Sequence, residues 1–199
     1  MLRKDIVYFE KAGEQNTDEV IALALGRAKE LGLRHVVVAT SSGETGVKVA
    51  KLFKGSGISV IVVGHQVGFS QPGVDEMEPA LSREIESLGG IIIKQTHALS
   101  AVERSISRRI GGASRTEAIS EALRTLLSSG AKVCVEITIM AADSGKIPVD
   151  GVTEVLAIGG TWSGADTACV MLPAHANNFF DMQIREIVAL PRDKSRRKS

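Results

Sequence analysis

A chain of 199 residues, 44% hydrophobic and 24% charged, has the size and composition of one globular domain around one core. Only 4% of residues are aromatic, leaving few stacking platforms for a specific nucleic-acid partner, and the five basic residues of "PRDKSRRKS" make 191–199 a solvated tail on a mildly acidic body. Cys134 and Cys169 lack C-x-x-C spacing, "MLRKDIVYF" is too short for a signal-peptide core, and no apolar stretch nears the ~20 residues of a membrane span. These features exclude a disulfide framework, a zinc site and a membrane partner, and lead to the expectation of a cytoplasmic protein with buried free thiols.

In chain order, Val20, Ile21, Ala24, Leu25 and Ala28 predict a helix over 17–31, with Thr17 as N-cap, Asp18 and Glu19 in the first turn, and Gly32 at its close. "RHVVVAT" is a β-branched run without polar alternation, the pattern of a strand covered on both faces. Val47, Ala50 and Phe53 mark a helix over 44–54, and "ISVIVVG" a second buried strand. A third helix follows from Val74, Met77, Leu81, Ile85 and Leu88, closed by Gly89, and "GIIIKQT" is a third strand. Ser100 with Glu103 and Ser114 with Glu117 fit the capping-box pattern, so two helices separated by "GGA" are expected. Beyond Gly130, "KVCVEITIM", "TEVLAIGG", "DTACVML" and "IREIVAL" read as strands packed too densely for intervening helices, so the end of the sheet turns antiparallel. Alternating helix and buried strand predicts one α/β domain over 1–190, with a mostly parallel sheet between two helical layers.

The junction in "VVVATSSGETGVKVAKLF" carries the first functional signal. In such sheets ligands bind outside the carboxyl ends of the strands. Gly43 permits a tight turn, Thr40, Ser41, Ser42 and Thr45 offer hydroxyls, and the next helix aims its N–H groups at the same point, which suits a phosphate. Ser41 with Glu44 equally fits a capping box that needs no ligand. The G-x-x-x-x-G-K-[ST] pattern is absent. "GHQVGFSQPG", "QTHALS" and "IGGTWSGADTA" would project from the same rim, and a pocket accounts for all of them together.

"HVVVATSSGETGVKVAKLFKGSGISVIVVG" and "EVLAIGGTWSGADTACVML" resemble the C-terminal α/β domain of pyruvate kinase, whose Ser/Thr-Gly loop and Trp/Gly loop enclose the phosphates of an effector. "YFEKAGEQNT", "GHQVGFSQPG", "THALSAVERSISRRIGG", "KVCVEITIMAADSG" and "PAHANNFFDMQIREI" extend the likeness to the stand-alone, archaeal-type proteins similar to that domain. The resemblance implies that domain's fold and a bound flavin mononucleotide (FMN), with no established reaction. It places the phosphate loop on Thr40, Ser41, Ser42, Gly43 and Thr45 and the second wall on Thr161, Trp162, Ser163 and Gly164. Glu44 and Asp166 stand near positions where pyruvate kinase has basic residues, so a monophosphate suits these loops better than a sugar bisphosphate. The catalytic barrel of pyruvate kinase has no counterpart within these residues, and pyruvate kinase activity is not expected.

The candidate ligand site thus gathers Thr40, Ser41, Ser42, Gly43, Glu44 and Thr45, then His65, Thr96 and His97 at two strand ends, Glu136, and Gly160 with Thr161, Trp162, Ser163 and Gly164. Glu136 is the odd carboxylate in an apolar run, facing either the ligand or an arginine, and as a strand the run would put Cys134 on the same face. Glu103 and Arg104 follow His97, so a base, an acid and an anion clamp could share the rim, while Asp143, Ser144, Gly145, Asn177 and Asn178 could orient a ribityl chain. The leading expectation is a small-molecule-binding protein holding FMN or a similar phosphorylated ligand. The alternatives are a flavin-dependent oxidoreductase using His97, His65 or Cys134, and a regulatory interaction module. A homo-oligomer is plausible if late strands are left exposed.

Overall fold

The computed structural model describes residue 1 and residues 3–194; most of the basic tail, 195–199, lies outside the described residues. Seven strands form one sheet: β1 (Val7–Lys11), β2 (His35–Ala39), β3 (Ser59–His65), β4 (Ile91–Gln95), β5 (Val155–Gly159), β6 (Thr167–Leu172) and β7 (Gln183–Asp193). Their order is β1-β7-β6-β5-β2-β3-β4. All adjacent pairs are parallel except β5 with β6 and β6 with β7, so β6 alone runs against the rest. Among the described residues the α-helices are α1 (Thr17–Leu31), α2 (Glu44–Phe53), α3 (Pro79–Ser87), α4 (Val102–Ile110), α5 (Arg115–Leu126) and α6 (Ser129–Asp143).

Alternation along the strands builds two cores. Val36, Val38, Val60, Val62, Leu156 and Ile158 pack with α1 and α2 on one face. Val37, Ile61, Val63, Ala157, Cys169 and Met171 pack with α6 on the other. Chain order reverses between β2 and β5: the chain steps outward from β2 to β3 and β4, then returns to lay β5 on the other side of β2. That reversal opens a crevice at the carboxyl ends of β2 and β5.

Four sequence expectations are corrected here. "KVCVEITIM" is not a strand but the body of α6, buried on almost every side from Gly130 to Ala142. A helix apolar all round has no 3.6-residue polarity signal and cannot be told from a buried strand by period alone. Its start is marked by Ser128, whose hydroxyl accepts from Ala131 N at 2.9 Å. Cys134 and Glu136, two residues apart on a helix, therefore do not share a face.

Secondly, 7–11 forms β1, an edge strand the sequence reading passed over, and it covers β7. The late strands are therefore interior, which removes the stated reason for an oligomer. Thirdly, β7 continues through Asp193, so 191–193 belong to the sheet rather than to a tail. Fourthly, Ser100 does not cap α4: it is buried, its N–H bonds His97 O at 3.2 Å, and Ala101 occupies the N-cap with φ 51°. The Ser114–Glu117 capping box forms in full at α5.

Smaller boundary shifts have local causes. The α3 helix begins at Pro79, whose ring suits the first turn, so Val74 and Met77 precede it although Met77 is still buried. Thr17 opens α1 instead of capping it: its hydroxyl donates to Glu14 O at 2.6 Å and accepts from Ala165 N at 3.0 Å, fastening α1 to the β5–β6 turn. Arg27 of α1 reaches Glu186 of β7 through two hydrogen bonds of 2.7 and 2.6 Å, a fork-to-carboxylate geometry that locks helix to sheet.

Candidate functional site

A cleft of about 470 Å³ opens at the β2/β5 reversal. Its floor is the loop from β2 into α2. Gly43 sits at the N-cap with φ 112°, a conformation that side chains resist, and the Thr40 hydroxyl accepts from its N–H at 3.1 Å. A β-carbon at Gly43 would lie 2.8 Å from Leu81 Cβ, so glycine is also required by the packing of α3. No side chain caps α2. The Ser41–Glu44 capping box is therefore not formed, and the contact nearest to a cap is a long one of 3.4 Å from Glu44 N to the Ser42 hydroxyl. The N-terminus of α2 meets the cleft with its positive end exposed.

Thr40, Ser41, Ser42, Glu44 and Thr45 line the cleft, as do His65, His97, Glu136, Gly160, Trp162, Ser163 and Gly164. Three residues of the expected set do not. Gly43 is turned into the α2–α3 contact. Thr161 is buried and hydrogen-bonds Asp166, and Thr96 is exposed outside the cleft. Asp166 is likewise buried and structural, accepting from Gly13 N at 3.0 Å and from the Thr167 hydroxyl at 2.9 Å, and it does not line the cleft. Asp143 accepts from His175 Nδ1 at 3.0 Å, beyond the foot of β5. That group, with Asn177 and Asn178, stands at the opposite rim of the sheet and cannot orient a ligand in the cleft.

The β5–β6 loop forms the second wall. Gly160 allows a tight return, since a β-carbon there would fall 2.4 Å from Gly164 O. Trp162 adopts φ 67° and leaves its indole 73% exposed at the cleft mouth. The Ser163 hydroxyl is fixed by Glu14.

Opposite lies a cluster of rings. His65 and Phe69 centroids are 4.1 Å apart, His65 and His97 4.9 Å, and Phe69 and His97 4.8 Å. His65 Nδ1 hydrogen-bonds the Glu76 carboxylate, which that contact holds below the ordinary carboxyl range. Burial pushes His97 down to about 4 against the pull of Glu136, so at neutral pH it is an uncharged imidazole.

The α6 helix contributes what the sequence reading placed on a strand. Lys132 and Glu136, one turn apart, form an ion pair with side chains only 3% and 5% exposed, and Glu136 also accepts from Leu99 N at 3.0 Å. Burial raises the Glu136 carboxyl, but Lys132, His97 and the Leu99 N–H together bring it below its ordinary value. Burial likewise lowers the Lys132 ammonium, and Glu136 restores only part of the loss. Glu136 thus pairs with a lysine of its own helix instead of the arginine expected of it, while still lining the cleft.

Two of the cleft's cations are what sequence reasoning missed. Lys132, Arg104 and Arg124, from α6, α4 and α5, all line the cleft; Arg104 is the anion clamp expected after His97, whereas Lys132 and Arg124 were not anticipated. For Lys132 a signal existed: Lys132 and Glu136 at i,i+4 inside an apolar run pair only if the run is helical.

No family model matches the chain. Among solved structures, pyruvate kinase of Cryptosporidium parvum in complex with ADP aligns at 16% identity and a TM-score of 0.35, over 88% of this chain and 24% of that one. An O-ureido-L-serine synthase aligns at 13% identity and a TM-score of 0.32, over 71% of this chain and 50% of that one. The chain thus spans about a quarter and a half of the proteins it aligns with. What stands on its own geometry is an α/β fold with a seven-stranded, mostly parallel sheet. Among the described residues no helix is long and apolar enough to cross a membrane.

Proposed function

We propose that the chain binds a phosphorylated small molecule, FMN or a relative of it, with the phosphate at 40–45, and that it has no pyruvate kinase activity of its own. The resemblance to the isolated pyruvate kinase C-terminal domain motivates the identity of the ligand. The observation that carries the reading is the uncapped N-terminus of α2, ringed by the hydroxyls of Thr40, Ser41, Ser42 and Thr45, at the floor of a cleft lined by Lys132, Arg104 and Arg124. An anion there would meet N–H donors, hydroxyls and positive charge in one place. FMN fits the donor set: Ser41, Ser42 and Thr45 would hold its phosphate, and His65, Phe69, His97 and Trp162 offer flat surfaces for its ring. When bound, FMN would supply hydride and electron transfer. A volume of about 470 Å³ suits a ligand of that size.

The test is a titration with FMN and with riboflavin, after absorbance and mass analysis of whatever the denatured protein releases. Phosphate-dependent, saturable binding that weakens at least tenfold in Ser41→Ala/Ser42→Ala is expected. Equal affinity for riboflavin, or no effect of the double substitution, would remove the loop from the site. Gly43 is a poor target for this purpose, because its substitution disturbs the α2–α3 packing as well.

A flavin-dependent oxidoreductase is the second reading, favoured by one observation: His97 is uncharged and half-buried beside the cleft, a state in which it can accept a proton. Bleaching of bound flavin by reduced nicotinamide, lost in His97→Gln, would select it.

A further inference from the structure

The cleft does not end at the ring cluster. Phe69, His97 and Arg104 also line a second hollow of about 660 Å³, so the two lie side by side and border on these three side chains. The far wall of this annex is α4, which presents Arg104, Arg108 and Arg109 to it, and no carboxylate lines it among the described residues. Arg104 and Arg108 are one turn apart on the same helix, a like-charge spacing that costs stability in isolation. None of the α4 residues is buried, so core packing does not account for their placement. Gln66, just after β3, also lines the hollow; its Oε1, shut off from solvent and without a partner among the described residues, calls for a hydrogen-bond donor such as a base amino group or a ribose hydroxyl.

We propose that the annex is a second anion-binding subsite, so that the ligand is a nucleotide carrying two separated anionic groups. One would sit at the α2 N-terminus, the other against Arg104, Arg108 and Arg109, with the sugar between them and the base on Phe69 and His97. This rests on the phosphate-loop reading for its first anion only. A ligand with its one phosphate at the α2 N-terminus would make no use of Arg108 and Arg109, which line the annex and not the cleft. Guanidinium forks are suited to a phosphate or carboxylate at this end.

The test is a nitrogen-15 NMR titration of the full chain, reading the amides of Ser42 to Gly46 and the Nε–H signals of Arg104, Arg108 and Arg109. Arg83 and Arg115, which line neither hollow, serve as controls. Inorganic pyrophosphate is expected to move the α4 arginine signals saturably and the controls little. Adenosine 3′,5′-bisphosphate is expected to bind about ten- to a hundredfold tighter than adenosine 5′-monophosphate, the range for added charge-assisted hydrogen bonds. Arg108→Gln/Arg109→Gln, on exposed helical positions, should erase that difference and leave monophosphate binding unchanged. Arginine signals no more responsive than the controls, equal affinity for the two nucleotides, or a difference that survives the double substitution would overturn the subsite. Loop amides moving without the arginines would leave the phosphate loop standing and the subsite refuted; arginines moving without the loop amides would do the reverse.

Discussion

Lys132→Met tests whether the cleft wall is as dry as its geometry implies. With Lys132 and Glu136 only 3% and 5% exposed, removing the ammonium leaves a buried carboxylate whose remaining hydrogen bond is that from the Leu99 N–H. Breaking a buried pair from one side costs about 3–5 kcal/mol, a large part of the ~5–15 kcal/mol that holds a domain together. The pH dependence fixes the cause. In the native protein Glu136 lies below its unfolded value, so its contribution is present above that value and is lost as the pH falls through the lower, folded one. In Lys132→Met the leading influence left is burial, which raises the carboxyl, so the penalty is full at neutral pH and shrinks on acidification as the folded state takes up a proton. The two proteins should thus respond to acid with opposite sign at this residue. Urea unfolding at pH 7 and pH 5 reads the difference, and Lys132→Met/Glu136→Gln, which keeps an acceptor for Leu99 N, should recover most of the loss. A loss under about 1 kcal/mol at pH 7, unchanged at pH 5, would show that water already reaches the pair.

Further outcomes follow from single positions. Gly43→Ala should destabilise the fold by at least the roughly 1–3 kcal/mol of backbone strain for a side chain at this φ, with the Leu81 contact adding to it; a melting temperature unchanged from the native protein would contradict both. Ser114→Ala removes one half of the α5 capping box and should cost about 1 kcal/mol in urea unfolding, whereas Ser100→Ala, which caps nothing, should not act through α4. His97, held near 4, should show no imidazole titration by NMR between pH 5.5 and 8. Because its folded value lies below the ordinary one, it should lower stability as the pH falls from about 6.5 toward 4; a midpoint near 6.5 would mean that the ring is solvated.

Legibility in the sequence followed the strength of the local signal. The α1, α2, β2 and β3 elements were readable because each has either a 3.6-residue polarity rhythm or a short β-branched run bounded by glycine. The α6 helix was not, since burial on both sides erases the rhythm, and its valines and isoleucines favour strand in isolation. The β1 strand was missed because only Phe9 of its five residues is buried, so a polar-looking edge carries no core pattern. The cleft loops were readable from Gly, Ser and Thr at strand ends, but its cations arrive from three different helices, a convergence fixed by topology and not by spacing. The Ser41–Glu44 and Ser100–Glu103 pairs match the capping pattern as well as Ser114–Glu117 does. Only at Ser114 does the residue before the helix take the extended backbone the box requires.

The relocation of "KVCVEITIM" from strand to helix also decides the chemistry of Cys134. As a strand residue it would have shared a face with Glu136 and the ligand; on α6 its thiol points into the sheet, where Sγ lies 3.4 Å from Ala157 O and 3.9 Å from Thr167 O. Burial, reinforced by Cys169, pushes the thiol well above its ordinary range, so the thiolate a nucleophile needs is not formed at neutral pH. Native protein should therefore leave both thiols untouched by an aromatic disulfide reagent, and modification in increasing urea should track the fraction unfolded. Ligand affinity should be the same before and after exposure of the native protein to the reagent. One thiol per chain reacting within minutes, with loss of binding, would put Cys134 on the cleft and return covalent catalysis to consideration. With the thiol inert, the groups left in the cleft to carry a reaction are its lining hydroxyls, Glu44, His65, His97, the two arginines, the Lys132–Glu136 pair and the bound molecule itself.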